Sequence, residues 1–474
     1  MSTIGPLRLV CIWGALVRSI LLLGALFLTA CGGALHSQPP PQRWSTGFWF
    51  WGGSVPRIAK TIEPLDLIYV YAGYLQKGGG APRSATWSVS ASLPDELPPA
   101  REYWLVLRFN HQAVPERAAV PVIAGKIGEL RNVAEQRRLN LVGIQLDIDS
   151  PTGSLAEYAD FLRELRKALP AGLGVSITAL LDWFREGTSV ADVIEQVDEF
   201  VPQFYDVGAI MGPAARPAIA AKIDSARWDP IFNHFAKRFR IGISNFGRAI
   251  RLRDPTPKNG APAHTFYADL VPADFTKYPR LHPFVTSNET NELVLTYHLP
   301  QESLYRTGPY SPGDTIQFII PTVESVKGAV ANARKIGGYC AGVLFFRWPA
   351  LDETLVMDPG QVLEAAGIIP HQDSAPGLIQ TVDGGCAAVY CMDLYLRNSD
   401  PLRAIPVRFT IHSSTGLEYF MPKEGLPIRM VGPSDLVLSL PPYGGRRSAY
   451  LGRAVAVARA QFTLQEEKAV QKKK

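Results

Sequence analysis

Eight short runs of apolar, β-branched and aromatic residues recur between residues 48 and 348, each bounded by Gly, Pro or polar clusters. They are Phe48 to Trp51, Leu65 to Tyr71, Tyr103 to Asn110, Leu141 to Asp149, Gly174 to Leu181, Phe200 to Val207, Arg240 to Phe246 and Gly342 to Trp348. Runs of this length and composition read as strands. Between several of them the apolar period changes to that of a helix. Ile123, Ile127, Leu130 and Val133 precede the fourth run, and Leu155, Tyr158, Leu162, Leu165 and Leu169 follow it, with Ser154 placed as N-cap and Pro170 and Gly172 as the stop. A helix from Val323 to Lys335 leads into the eighth run, and Asp358-Pro359 opens a last helix that ends near Gly367. Parallel neighbours in a sheet require crossover connections. Eight strands alternating with helices over residues 44–368 therefore predict an α/β fold, a (β/α)8 TIM barrel. The second connection, Leu75 to Arg101, shows no clear helix. The seventh, residues 248–322, is long and holds two strand-like runs, which predicts a small inserted α+β lobe after strand 7.

From residue 376 to 464 the pattern changes to alternating strands without long helices: Ala387 to Leu396, Ile405 to Ser413, Leu426 to Val431, Leu436 to Leu440 and Ala454 to Thr463. This predicts a separate all-β, sandwich-like accessory domain, which either supports the barrel by packing or binds a glycan or partner. Residues 465–474 are a Lys-rich tail. Of 474 residues, 47% are hydrophobic and 19% charged, which excludes a disordered chain and a polytopic membrane protein. Lys plus Arg number 48 against 43 Asp plus Glu, and much of that excess lies in the two ends. No basic face for nucleic acid follows.

The first 30 residues carry basic residues, Arg8 and Arg18, ahead of a short apolar run, Ile20 to Leu28. That run is too short for a stable span and reads as an export signal. Its end, Leu28-Thr29-Ala30-Cys31-Gly32-Gly33, resembles a bacterial lipoprotein signal. The resemblance implies cleavage before Cys31, a lipid on its thiol, and, from Gly32 in place of Asp, the periplasmic face of the outer membrane. The competing reading is an ordinary cleaved signal with a nearby Cys. Residues 31–43 are a polar, Pro-rich tether. Cys340, Cys386 and Cys391 remain in the folded part; Cys386 and Cys391 could bridge only if the chain turns between them, since five strand steps separate them by roughly 16 Å. The eight His are scattered without metal-ligand spacing, so neither metal nor cofactor is expected.

In such a barrel the chemistry sits at the C-terminal ends of the strands. The fourth run ends Gln145-Leu146-Asp147-Ile148-Asp149. With Ile144, Leu146 and Ile148 facing the helices, Gln145, Asp147 and Asp149 point into the barrel mouth. The two Asp Cα atoms then lie roughly 6.6 Å apart, close enough for like charges to couple and raise one pKa. Alternatively, either Asp caps a loop or holds Arg108. Arg108 and Asn110 end the third run on one face and would reach sugar hydroxyls or pair with Asp147. Asp182 closes the fifth run as a weaker third carboxylate. Trp51, Trp183 and Trp348 at strand ends offer the aromatic faces that sugars stack on, with core packing the competing reading for each.

Four of these segments resemble, in chain order, the chitinase-like barrels of glycoside hydrolase family 18. Their fourth strand carries Asp-Gly-x-Asp-x-Asp-x-Glu, against Val142-Gly143-Ile144-Gln145-Leu146-Asp147-Ile148-Asp149 here. Gln203-Phe204-Tyr205-Asp206 is similar to their sixth-strand motif, and Gly242-Ile243-Ser244-Asn245-Phe246-Gly247-Arg248 to their Gly-x-Pro-Phe-Tyr-Gly-Arg. Gly342-Val343-Leu344-Phe345-Phe346 resembles the eighth strand, with Phe346 in place of the Trp that floors the sugar site. The resemblance implies an exported lipoprotein branch of that superfamily, acting on an amino-sugar polysaccharide. Asp149 would be the acid, Asp147 would orient the acetamido group that attacks the anomeric carbon, and Tyr205 would donate to that group or a hydroxyl, with Gln203 and Gln145 nearby. Asp149 is one methylene shorter than the family Glu, and a misplacement of about 1 Å can lower a rate on the order of 10²-fold. A non-catalytic glycan-binding or envelope-assembly lipoprotein on the same barrel is therefore the alternative.

Overall fold

The computed structural model describes residues 43–52, 65–78, 86–109, 113–205, 219–253, 264–268, 270, 284–300, 313–349, 355–357, 359–369, 377–384, 390–398, 408–423, 426, 428–439 and 449–466. The leader, Cys31, Asn110, Asp206 and Cys386 lie outside them. Strands β1 (Ser45–Phe50), β2 (Leu65–Lys77), β3 (Trp87–Ala91) and β4 (Ala100–Phe109) are followed by helix α1 (Val120–Gln136). Then come β5 (Leu141–Ile148), α2 (Leu155–Ala168), β6 (Gly174–Ala179), α3 (Val190–Glu195), β7 (Glu199–Phe204), α4 (Ser225–Asn233) and β8 (Arg238–Ser244). After an insertion holding β9 (Arg248–Arg253), β10 (His264–Ala268), β11 (Phe284–Ser287), β12 (Leu293–His298) and β13 (Thr315–Ile320), helix α5 (Val323–Ile336) leads into β14 (Cys340–Phe346) and α6 (Pro359–Ala365).

Strands β1, β2, β4, β5, β6, β7, β8 and β14 pair in that order, all parallel, and β14 pairs with β1. The sheet is thus a closed eight-stranded barrel, with all eight strands where the sequence places them. Closure follows from the two-sided apolar pattern. Ile144, Leu146 and Ile148 of β5, with their counterparts on the other strands, pack outward against Ile123, Ile127, Leu130, Leu155, Tyr158, Leu162 and Leu165 of the helices. Val133, read as part of the α1 core face, is exposed, and Ala134 is buried in its place. Ser154 occupies the N-cap of α2 without a side-chain cap bond; α5 has the stronger start, a reciprocal Thr322–Ser325 capping box.

The helix-poor second connection has a physical explanation. β2 runs on past the barrel, and β3 pairs antiparallel with its last residues, Gly73 to Lys77, so a hairpin stands where other connections place a helix. Gly73 is required there: at φ +155° its Cβ position would lie 1.9 Å from the Ser90 carbonyl oxygen. The insertion forms one five-stranded antiparallel sheet, β10-β9-β13-β12-β11. Among the described residues it contains no helix, so the α part of the expected α+β lobe is not found there. Glu292, 1% exposed, ties this lobe to the chain after β7 by accepting from the Ile219 and Ala220 amides at 3.3 Å each.

Among the described residues eight strands follow: β15 (Gly377–Asp383), β16 (Cys391–Asn398), β17 (Arg408–Ser413), β18 (Leu417–Pro422), β19 (Ile428–Met430), β20 (Asp435–Ser439), β21 (Ala449–Ala456) and β22 (Phe462–Glu466). They form two antiparallel four-stranded sheets, β15-β16-β21-β18 and β19-β20-β17-β22, which share one apolar core around Leu394, Leu396, Phe409, Ile411, Leu436 and Leu451. The run Ala454 to Thr463, read as one strand, is two, because the chain turns between Val457 and Gln461 to change sheets. Cys391 is disulfide-bonded and Cys340 is a buried free thiol.

Candidate active site

Period two turns Trp49 of β1, Tyr69 of β2, Trp104 of β4, Gln145 and Asp147 of β5, Ser176 and Thr178 of β6, Glu199 and Val201 of β7, Arg240 and Gly242 of β8 and Leu344 and Phe346 of β14 into the barrel. Glycines make room for the large rings. A Cβ on Gly143 would lie 2.4 Å from the Trp104 ring, and one on Gly242 would lie 2.8 Å from the Tyr205 ring and 3.1 Å from Trp49.

The lower interior is a connected polar chain. Glu199, fully buried, accepts from the Tyr69 hydroxyl, contacts the Arg240 guanidinium and sits 3.0 Å from Arg238 Nε. Ser176 Oγ donates to Glu199 at 3.3 Å, Gln145 Nε2 donates to Ser176 Oγ at 3.1 Å, and Trp49 Nε1 donates to Gln145 Oε1 at 2.7 Å. Gln145 therefore projects inward as expected, but a layer below the mouth. With 0% exposure and both ends of its amide engaged, it positions Trp49 and is not a substrate ligand. Glu199 and Tyr69 were not singled out from the sequence; the parity that points Tyr205 and Gln203 inward also points Glu199 inward, and was the signal available.

At the C-terminal mouth, Arg108 Nη1 lies 3.5 Å from Asp147 Oδ2 and Nη2 lies 3.9 Å from Asp149 Oδ2. Thr178 Oγ1 donates to Asp147 Oδ1 at 2.9 Å. The pairing follows from register, since Arg108 is opposite Asp147 across β4 and β5. Burial raises the Asp147 carboxyl from its ordinary 3.8 to about 6; Arg108 and Thr178 oppose this, and the neighbouring Asp149 adds to it. The Asp149 side chain is 47% exposed against 8% for Asp147. Asp147 thus keeps its proton to higher pH than an ordinary carboxyl, while Asp149 faces solvent.

The acids are flanked by stacked rings. Trp51 lies parallel to Tyr71 at 4.4 Å, and the Arg108 guanidinium sits 5.2 Å from the Trp51 ring. Phe346 stacks on Tyr205 at 4.7 Å and meets Trp51 edge-on at 5.5 Å, with Trp49 and Phe246 closing the floor. Trp51 Nε1 is buried, with no hydrogen-bond partner among the described residues. Burial lifts the Tyr71 hydroxyl above its ordinary range, with Arg108 opposing and Asp147 adding. Tyr71 was not picked out from the sequence; the parallel β1–β2 register brings it beside Trp51.

The structure therefore brings together Arg108, Asp147, Asp149, Trp51, Tyr205 and Phe346. Gln203 is half-buried on β7, opposite Gly242. Asp182 accepts from Thr152 Oγ1 at 2.9 Å and anchors a loop. Trp183 and Trp348 do not join the site. Trp183 is fully buried edge-on to Tyr158 with its Nε1 on the Ser150 carbonyl, and Trp348 is buried against Phe48, both in the layer between strands and helices. Among the described residues no group of three or more His, Cys, Asp or Glu side chains is placed to hold a metal ion.

Residues 100–256 match the model of a domain of unknown function, DUF3142. No curated protein matches the chain. Among solved structures, it is similar to the spore cortex-lytic enzyme SleL of Bacillus cereus at 15% identity, over 65% of this chain and 71% of that one, with a TM-score of 0.40. A chitinase from Chromobacterium violaceum shares 13% identity over 69% and 98% of the two chains, TM-score 0.40. A glycoside hydrolase family 18 N-acetylglucosaminidase from Paenibacillus barengoltzii shares 16% over 68% and 99%, TM-score 0.41. The barrel assignment rests on the strand order itself, and the DUF3142 match covers β4 to the start of the insertion, the segment that supplies Arg108, Asp147, Asp149 and Tyr205.

Proposed function

We propose that this protein is a glycoside-hydrolase-like barrel acting on an amino-sugar polysaccharide, exported and lipid-anchored through Cys31 at the periplasmic face of the outer membrane. The observation that carries the reading is the Arg108-bridged pair Asp147 and Asp149 at the C-terminal mouth, beside the rings of Trp51, Tyr71 and Phe346. Aromatic faces take the C–H surface of a sugar, while the carboxyls meet its hydroxyls. Asp149, the reachable carboxyl, donates a proton to the glycosidic oxygen. Asp147, which keeps a proton toward neutrality, orients the acetamido group, and Tyr205 borders it. The fourth-strand resemblance to glycoside hydrolase family 18 supports this division of roles.

A second reading, a non-catalytic glycan-binding lipoprotein, is favoured by Arg108, which pairs with both acids at once, and by the shorter Asp at position 149. Incubating the purified protein with chitin, peptidoglycan and biofilm polysaccharide separates the two. Release of reducing ends that Asp149→Asn abolishes is the outcome expected of the enzyme; binding without release, unaffected by that substitution, rejects it.

A further inference from the structure

The outward face of the sheet β15-β16-β21-β18 carries a constellation that the barrel does not use. Leu394, Leu396, Phe420, Leu451 and Ala454 face the core, so alternation turns Asp393, Tyr395, Tyr419, Met421, Tyr450 and Arg453 the other way. Register sets them in rows: Tyr395 opposite Tyr450, and Asp393 opposite Arg453, itself opposite Met421. The two tyrosine rings lie 5.3 Å apart. Arg453 grips Asp393 with two bonds, Nε to Oδ1 at 2.8 Å and Nη2 to Oδ2 at 3.0 Å, and the Tyr450 hydroxyl donates to the same carboxylate at 3.2 Å. Hydrogen bonding to Arg453 holds the Asp393 carboxyl below its ordinary range. Tyr419 is 60% exposed on the edge strand β18.

We propose that this face is a polysaccharide-binding surface that takes an uncharged glycan chain across the strands. Exposed rings on a sheet face offer what the apolar side of a pyranose needs. Beside them stand fixed donors: a guanidinium has five N–H groups, of which Asp393 takes two here, and the hydroxyls of Tyr395 and Tyr419 have no bond to the described residues. Sugar hydroxyls and acetamido carbonyls accept from such groups. Because Asp393 locks the arginine in place, little side-chain freedom is lost on binding. The Asp393–Arg453 pair is itself neutral, and Arg397, two residues on from Tyr395, adds one exposed positive charge to the same face. The proposal does not depend on the chemistry at the barrel mouth.

The test is co-sedimentation of the purified full chain with insoluble chitin and with cellulose. Replacing both Tyr395 and Tyr419, Tyr395→Ala with Tyr419→Ala, is expected to weaken sedimentation about tenfold or more, with the urea midpoint unchanged, while Glu129→Ala, at an exposed position on helix α1, stays near wild type. Tyr419→Ser alone, at an exposed edge position, weakens binding without any threat to folding. Wild-type sedimentation by the tyrosine variants overturns the proposal. So does a wild-type protein that sediments with neither polymer or only with anionic vesicles.

Discussion

Arg108 Nη1 stands 3.5 Å from Asp147 Oδ2, and the same guanidinium reaches Asp149 with its other terminal nitrogen. A single cation, resting on the Trp51 ring, therefore sets the charge balance of both acids.

Removing it shifts that balance in a known direction. Arg108 is a force holding the Asp147 pKa down against burial, so Arg108→Met raises it beyond about 6, by about one unit or more. Carbon-13 NMR of the aspartate carboxyls across pH 4 to 9 reads the midpoint directly; an unmoved midpoint contradicts the geometry.

Asp147 also makes stability pH-dependent. Its folded pKa, about 6, lies above the ordinary 3.8 of an unfolded chain. The neutral form is favoured in the folded state, so its contribution is fully present below about pH 4 and is lost as pH rises through about 6, a loss on the order of 3 kcal/mol. Asp147→Asn, which keeps an acceptor for Thr178, is expected to match wild type near pH 4 and to exceed it at pH 7 in urea unfolding. Greater loss in the variant at pH 7 than at pH 4 refutes this sign.

Glu199→Gln leaves Arg240 and Arg238 without their buried counter-charge. Breaking a buried pair from one side is expected to destabilise by about 3–5 kcal/mol, visible as a lower urea midpoint. The Trp49 ring, at the far end of the same hydrogen-bonded chain, should change its near-UV dichroism. A midpoint within error of wild type would show that the network is dispensable.

Gly242→Ala places a methyl group against Tyr205 and Trp49. Overpacking of this kind lowers stability by about 1–3 kcal/mol and tilts the floor under Phe346, so glycan affinity falls more than it does for Gly125→Ala, where a Cβ meets nothing within 4 Å. Equal affinities for the two variants would argue that the floor is not part of the site.

The barrel was legible because each strand alternates. Ile144, Leu146 and Ile148 against Gln145, Asp147 and Asp149 fix both the fold and the inward acids. The same parity reaches Arg108, Tyr205 and Phe346. It fails where the strand stops. β14 ends at Phe346, so Trp348, two residues on, no longer obeys it and turns into the outer core, whereas Trp183, four residues past Ala179, stays on the outer side with Val175, Ile177 and Ala179. Depth along a strand is also invisible to parity, which is why Gln145 was placed at the mouth and lies beneath it. Tyr71 joins Trp51 through the β1–β2 register, a long-range fact with no local signature. In the C-terminal β unit the short turn from Val457 to Gln461 carries no Pro or Gly, so two strands read as one.

The crystal structure of the Asp149→Asn protein soaked with a chitin oligosaccharide tests the central claim most directly. A sugar ring over Trp51 and Phe346, with its glycosidic oxygen within hydrogen-bond reach of residue 149 and Arg108 still on Asp147, is the predicted result. An oligosaccharide bound only away from the mouth, with Arg108, Asp147 and Trp51 untouched, would contradict it.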